Sequence, residues 1–125
     1  MRAKASAEER LNRLSTLCLA LPETSRENKG EHAAFLVRKK IFAYYVNNHH
    51  GDNKVALWCK VLAGENKFLV ESDPDRFFLP AYVASRGWVG LRLDLATVDW
   101  AEVKELILGS YLQAAPRKLQ ALVTR

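Results

Sequence analysis

The sequence lacks the features that mark several large classes of protein. No apolar run approaches the roughly 20 residues of a membrane-spanning helix. Glu8 and Glu9 follow the basic N-terminus, where a secretory signal would carry its apolar stretch. The two cysteines, Cys18 and Cys59, are too few and too far apart for a disulfide framework or a cysteine-based zinc site. We therefore expect a cytoplasmic protein without a membrane partner, in which both thiols are buried and reduced.

Motifs that carry catalysis are also missing. The sequence has no serine–histidine–acid order, no paired-carboxylate motif and no glycine-rich phosphate loop. His49, His50 and Asp52 share one polar loop, but adjacent histidines seldom converge on one ion, and no second ligand pair follows at zinc-site spacing. We therefore expect no enzymatic activity, no cofactor and no metal.

The apolar residues that are present indicate one α+β domain spanning residues 1–125. Hydrophobic residues make up 49% of the 125, enough for a single core. Apolar residues recur at helical spacing from Leu11 to Leu21 and from Trp100 to Tyr111, and Pro116 kinks or restarts the last helix. Strands are predicted at residues 32–37, 41–46, 54–61 and 88–95, with a loop at residues 23–30 and a short helix at residues 63–72. An edge strand or irregular segment around Pro80 completes the order α-β-β-β-α-β-β-α, an antiparallel sheet of about five strands with helices on one face.

Two of the predicted strands carry tryptophan and a cation on one face and aliphatic residues on the other. Alternation turns Leu57 and Leu91 inward, while Trp58 with Lys60 and Trp88 with Arg92 turn outward. Aromatic planes beside fixed positive charge can stack bases and neutralise phosphates. The alternative is that the tryptophans pack under the C-terminal helix and the cations extend to its rim.

Positive charge is concentrated in the strand-rich segment. The chain holds 19 Lys and Arg against 14 Asp and Glu, a net charge of +5. Residues 32–62 hold five basic residues against Asp52 alone, a net charge of +4. The densest cluster, Arg38-Lys39-Lys40, falls at a predicted hairpin tip, where it could contact phosphates or simply be a solvated turn. This distribution favours an anionic partner, with nucleic acid the first candidate.

Short motifs in order along the chain resemble the MmcQ/YjbR family of small bacterial proteins. They are Leu19 to Thr24, Glu31 to Val37, Lys40 to Ala43, Trp58 to Lys60, Pro80 to Tyr82, and Gly87 to Val89 before a Leu-x-Leu strand. The family usually has Gly-His-Pro before the phenylalanine, whereas this chain has Glu31-His32-Ala33, with Gly30 one place early. The positions that match the family are His32, Phe35, Lys40, Phe42, Lys60, Tyr82 and Trp88.

The resemblance implies an α/β sandwich like that of the frataxin homologue CyaY and a DNA-binding role through a "double-wing" arrangement of hairpins. The leading hypothesis is a monomeric, non-enzymatic DNA-binding protein whose contacts come from Arg38, Lys39, Lys40, Lys60, Arg86, Trp88 and Arg92. The rival hypothesis is a binding module for a small anionic ligand or a protein, with a cleft lined by His32, Phe35, Lys60, Tyr82, Trp88 and Arg92. Basic residues on one convex face would favour DNA, and aromatics gathered with His32 in a concave pocket would favour the rival.

Overall fold

Six antiparallel strands form one sheet, and two long helices pack on one of its faces. The computed structural model describes the backbone of residues 2–123 and the side chains of residues 7–49 and 51–123. The helices are α1 (Arg2–Leu19), α2 (Glu65–Ser72), α3 (Trp100–Ala114) and α4 (Arg117–Val123). The strands are β1 (Thr24–Lys29), β2 (His32–Val37), β3 (Lys40–Asn47), β4 (Val55–Lys60), β5 (Phe77–Phe78) and β6 (Trp88–Arg92), in the sheet order β1-β2-β3-β4-β6-β5. The predicted α+β class is confirmed, with six strands in place of about five.

The core lies between the sheet and helices α1 and α3. Leu57 and Leu91 face each other across β4 and β6 and are 0% and 2% exposed, which confirms the predicted inward face. Cys18 of α1 and Cys59 of β4 are buried, unbridged members of the same core, as expected. The burial of these apolar side chains is the main favourable contribution to folding. Within residues 2–123, no helix combines the length and the apolar character needed to cross a membrane.

Strand β1 was predicted as a loop, and that prediction is wrong. Residues 24–29 are polar and charged, yet they pair with β2 along its whole length, from Thr24↔Val37 to Lys29↔His32. Backbone groups alone make this ladder, so an edge strand needs no apolar side chains on its outer positions. Gly30, at a φ of +60°, occupies the first of the two turn residues between β1 and β2, a position that favours glycine.

A β-bulge in β3 sets which side chains reach each face of the sheet. Phe35 pairs with Ala43 but the next residue, Leu36, pairs with Ile41, so Phe42 is the extra residue. Phe42 and Ala43 consequently both join the core, and Phe42 packs edge-on against Tyr111 at 5.5 Å between ring centroids. After the bulge the alternation resumes with Tyr44 on the opposite face.

The face of the sheet turned away from the helices, called here the open face, carries a second and smaller apolar cluster. Its members are Tyr44, Val46, Ala56, Trp58, Phe78, Val83 and Trp88. The interpretation in which the two tryptophans pack under the C-terminal helix is therefore wrong for Trp58 and Trp88, because α3 packs against the aliphatic face instead. The segment between β5 and β6 contributes Val83 to this cluster and partly covers it.

Candidate functional site

A groove lies at the end of the open face where β3 and β4 stop pairing. Its volume is about 340 Å³. Strand β3 supplies one side, β4 and β6 supply the floor, and the C-terminal turns of α3 close the other side. The lining residues are Lys40, Ile41, Tyr44, Lys60, Val83, Arg86, Trp88, Ser110, Gln113 and Ala114. Three of the ten are cations, two are aromatic and none is acidic.

Ser110 is the residue that opens the groove. The β3–β4 pairing ends at Ala43↔Cys59, and the next ladder bond would join the Lys60 amide to the Phe42 carbonyl. Instead the Lys60 N–H donates to Ser110 Oγ at 2.9 Å, and that hydroxyl donates to the Phe42 carbonyl at 2.6 Å. A hydroxyl from α3 thus satisfies both backbone groups while holding the strand ends apart.

The aliphatic part of the Lys60 side chain packs along Gly87. Gly87 has a φ of +92°, and a methyl group there would meet Lys60 Cε at 3.8 Å, so the stem lies along the glycine. Gln113 Nε2 also donates to the Lys60 carbonyl at 3.2 Å. Lys60 is exposed overall and lines the groove with this side chain.

Asn66 fixes the segment that carries Arg86. This asparagine is only 4% exposed, and its Nδ2 donates to the carbonyls of Ala84 at 2.9 Å and of Trp88 at 3.0 Å. Arg86 lies between these two anchor points in a single 3-10 turn, Ala84–Arg86. One buried amide thus sets the position of both a groove cation and a groove aromatic.

A second depression of about 650 Å³ continues the groove beyond Arg86. It shares Lys60, Arg86 and Gln113 with the first and adds Lys67. Its residues also include no carboxylate. The depression on the other side of Gln113, by contrast, contains Glu65, Glu102 and Glu105. Lys60 lines this depression as well, so what distinguishes the two depressions that share Arg86 is a lining without carboxylates.

Ion pairing separates the predicted cations into two groups. Within residues 7–49 and 51–123, no carboxylate lies in ion-pair distance of Lys39, Lys40, Lys60 or Arg86. Arg38 is paired with Glu23 at 2.9 Å, and Arg92 with Asp94 at 3.0 Å. The hydrogen bonds that the Arg92 guanidinium donates to the Asp94 carboxylate raise the pKa of Arg92, which remains charged but is already engaged.

The predicted sites are only partly brought together. Lys40, Lys60, Arg86 and Trp88 line the groove together, and Lys39 lies in the adjoining β2–β3 turn. Arg92 pairs with Ala56, four residues along β4 from Lys60 and hence about 13 Å away. It therefore contributes to neither depression.

The other cleft residues of the rival hypothesis also lie apart. Phe35 is 0% exposed in the helix-side core, because alternation along β2 places it opposite the open face, so it cannot line a cleft. Tyr82 is 80% exposed in the segment before β6 and lines none of the three depressions described here. His32 Nδ1 accepts a hydrogen bond from the Asn47 amide at 3.1 Å, a structural role at the start of β2.

The sequence analysis missed three residues that shape the groove or its continuation. Tyr44 shares the open face with its partner Trp58, but alternation from the core residue Phe42 predicts the opposite side, because the bulge at Phe42 has no signature in the sequence. Ser110 lies within the helical apolar pattern from Trp100 to Tyr111, and a hydroxyl at a core position is the signal that could have marked it. Asn66, a buried polar residue in a short helix, gives the same kind of signal. Among the described residues, no group of three or more His, Cys, Asp or Glu side chains is placed to hold a metal ion.

Fold and groove together define a small α+β protein with helices on one face of an antiparallel sheet and a basic, aromatic-floored groove at the end of the other. The family model for YjbR matches residues 19–113, and the chain belongs to that family. It is similar to the crystal structure of Deinococcus radiodurans protein DR2400, which is described as a DUF419 domain. The two chains are 21% identical with a TM-score of 0.69, over 90% of this chain and 86% of that one. No curated protein sequence matches the chain.

Proposed function

We propose that this chain is a non-enzymatic DNA-binding protein that contacts phosphates through the groove and the adjoining β2–β3 turn. The observation that carries the proposal is the convergence of Lys40, Lys60 and Arg86 on one groove that contains no carboxylate. Cations without a protein partner are free to replace the counterions condensed on a phosphate backbone. Lys39 extends this charge at the turn, and Lys67 extends it beyond Arg86.

Arg38 and Arg92 receive no phosphate contact in this proposal. Each already has a carboxylate partner, Glu23 or Asp94, so a phosphate would have to displace an existing ion pair. The groove lining also includes no histidine, the side chain most often used for general acid–base chemistry, and no carboxylate. That composition supports binding rather than catalysis.

The salt dependence of DNA affinity tests the proposal. The logarithm of the association constant should fall with the logarithm of salt concentration by roughly 0.9 per phosphate neutralised on duplex DNA. The double variant Lys60→Ala, Arg86→Ala should flatten this slope by about one to two units, and Lys39→Ala, Lys40→Ala should do the same. Fluorescence anisotropy on labelled duplexes of two unrelated sequences measures both, and the loss should be equal on the two because phosphate contacts carry no base information.

Lys104→Ala is the matched control, because this lysine is exposed on α3 and lines none of the three depressions. Its salt slope should stay within experimental error of the unaltered protein. If both groove variants fold and keep the full slope, the groove is not the DNA surface. If the unaltered protein binds no DNA at low salt, DNA binding itself is wrong.

A small anionic ligand is the second candidate, favoured by one observation: the groove is concave and has an aromatic wall. Its 340 Å³ lies at the lower end of the volumes of small-molecule sites, about 300–1,000 Å³. A mononucleotide or pyrophosphate that binds the native state must raise the melting temperature by mass action. A saturable rise that Lys60→Ala abolishes, in a protein without DNA affinity, would make this the function.

A further inference from the structure

We propose that the groove takes single-stranded DNA, with one base stacked on the Trp88–Tyr44 wall and the flanking phosphates held by Lys60 and Arg86. This inference rests on the proposed DNA-binding function and specifies the form of DNA that the site accepts. It predicts a preference for single strands over duplex, which phosphate attraction alone does not give.

The shape of the groove is the first argument. A duplex keeps its bases stacked inside and presents a convex backbone, so it can touch the cations at the rim but cannot bring a base to the floor. Trp88 lies on that floor, and Tyr44 stands beside it on the β3 side of the groove. Only an unstacked base can reach them, and proteins that hold single strands use aromatic planes beside a cationic track in this way.

The aromatic wall is also pre-organised. The rings of Tyr44 and Trp88 lie 5.5 Å apart, and Tyr44 packs edge-on against Trp58 at 6.1 Å. Trp58 is only 8% exposed, so a buried ring supports the wall from behind. The Trp88 carbonyl is held by Asn66, and Trp88 pairs with Lys60 across β4 and β6. A base that stacks here orders few side chains, which preserves the stacking free energy.

The continuation of the groove indicates a polymer rather than a single nucleotide. The two depressions share Lys60, Arg86 and Gln113, so a chain leaving the first enters the second without crossing a ridge of carboxylates. Lys67 lies along the second. Successive phosphates of one strand can thus meet cations before and after the stacked base.

The decisive comparison is between an oligodeoxythymidine of about 15 residues and a duplex of the same length at equal salt, a length within the range covered by one single-strand site. We expect the single strand to bind at least ~10-fold more tightly. Replacing the ring by Trp88→Leu should weaken single-strand binding roughly 5- to 150-fold, the loss of one stacked base. Duplex affinity and the salt slope should hardly change, because no phosphate contact is removed.

Trp88→Phe is the conservative variant and should recover most of the single-strand affinity. Trp100→Phe is the distant control, because Trp100 lies at the start of α3 beneath Arg13, outside the groove. If Trp88→Leu does not fold, Tyr44→Leu makes the same measurement from the other ring.

Three outcomes separate the proposals. Equal affinity for single strand and duplex, with no effect of Trp88→Leu, overturns this inference and leaves phosphate binding standing. Binding of neither DNA overturns both. A mononucleotide that competes as strongly as the full oligonucleotide overturns the strand track and indicates a site for one small ligand.

Discussion

Gly90 and Gly109 differ in the space that they leave for an added methyl group. Gly90 of β6 lies beneath the ring of Phe78, whose Cε1 would be 2.7 Å from a new Cβ, so the ring would have to move. Gly109 of α3 has nothing within 4 Å of that position. Packing against Phe78 therefore requires glycine at position 90, whereas no neighbouring atom requires it at position 109.

We therefore expect alanine to change stability in opposite directions at the two sites. Gly90→Ala should cost about 1–3 kcal/mol, the range for overpacking a filled site. Gly109→Ala should stabilise by about 0.5–1 kcal/mol, since alanine loses less conformational freedom than glycine inside a helix. Urea unfolding of each variant against the unaltered protein measures both. A Gly90→Ala protein of unchanged stability would mean that Phe78 moves aside freely.

Single residues also show where prediction from sequence ends. Charge and alternation single out Lys40, Lys60, Arg86 and Trp88 in the sequence, and the four line one groove in the structure, while their role in binding stays a prediction. Whether a cation is free to bind a ligand depends on carboxylates that the fold brings to it, and Glu23 engages Arg38 in this way. That pairing has no signature in charge counts, since the two residues lie at opposite chain ends of the β1–β2 hairpin.

The strands were predicted to different extents because only some of them carry buried apolar side chains. Strands β2, β3, β4 and β6 are apolar and largely buried, so their signal in the sequence is strong and their predicted positions are confirmed. Strand β1 is joined to the sheet by backbone hydrogen bonds at an edge, which leaves its sequence polar. The bulge at Phe42 could not be predicted either, because a register shift is a property of two strands together.

The link between α3 and the strand ends gives a prediction at this level. Ser110→Ala leaves the Lys60 amide and the Phe42 carbonyl without the hydroxyl that joins them, at a cost of about 1–3 kcal/mol for each buried group left unsatisfied. Hydrogen exchange at the Lys60 amide should accelerate more than at the Cys59 amide, which points to the other side of β4, toward its partner Val89 on β6.

Ser25→Ala is the control for that experiment, because Ser25 is exposed on β1. Its stability should change by less than about 0.5 kcal/mol, as is usual for surface substitutions. If Ser110→Ala behaves like Ser25→Ala, the two backbone groups find each other directly and the hydroxyl does not hold the strand ends apart.

The stability of the whole molecule should fall in alkaline solution because of its two buried thiols. Burial raises the pKa of Cys59 from 9.0 to about 12, and burial, with a smaller contribution from the neighbouring Cys59, raises the pKa of Cys18 as well. Above pH 9 the unfolded thiols release their protons while the folded ones keep theirs. The unfolded state then binds fewer protons, so the free energy of unfolding decreases as pH rises.

At about pH 10 each thiol should contribute a loss of about 1.4 kcal/mol relative to neutral pH. Tyr45 and Tyr111 also have raised pKa values, mainly from burial, and add to the decline at higher pH. The comparison is the change in unfolding free energy between the two pH values, measured in urea for the unaltered protein and for Cys18→Ala, Cys59→Ala. An equal change in both proteins would show that the two thiols do not cause the loss of stability at high pH.

The two edges of the sheet bear on how the protein behaves at high concentration. An unpaired strand edge is a template on which another chain can add a strand, the first step toward aggregation. One edge here ends in β5, which is only two residues long. The other ends in β1, whose six residues include Arg26, Glu27 and Lys29, charges that disfavour a second copy in register. The polar sequence that concealed β1 as a strand is thus the same property that should keep neighbouring molecules from extending the sheet.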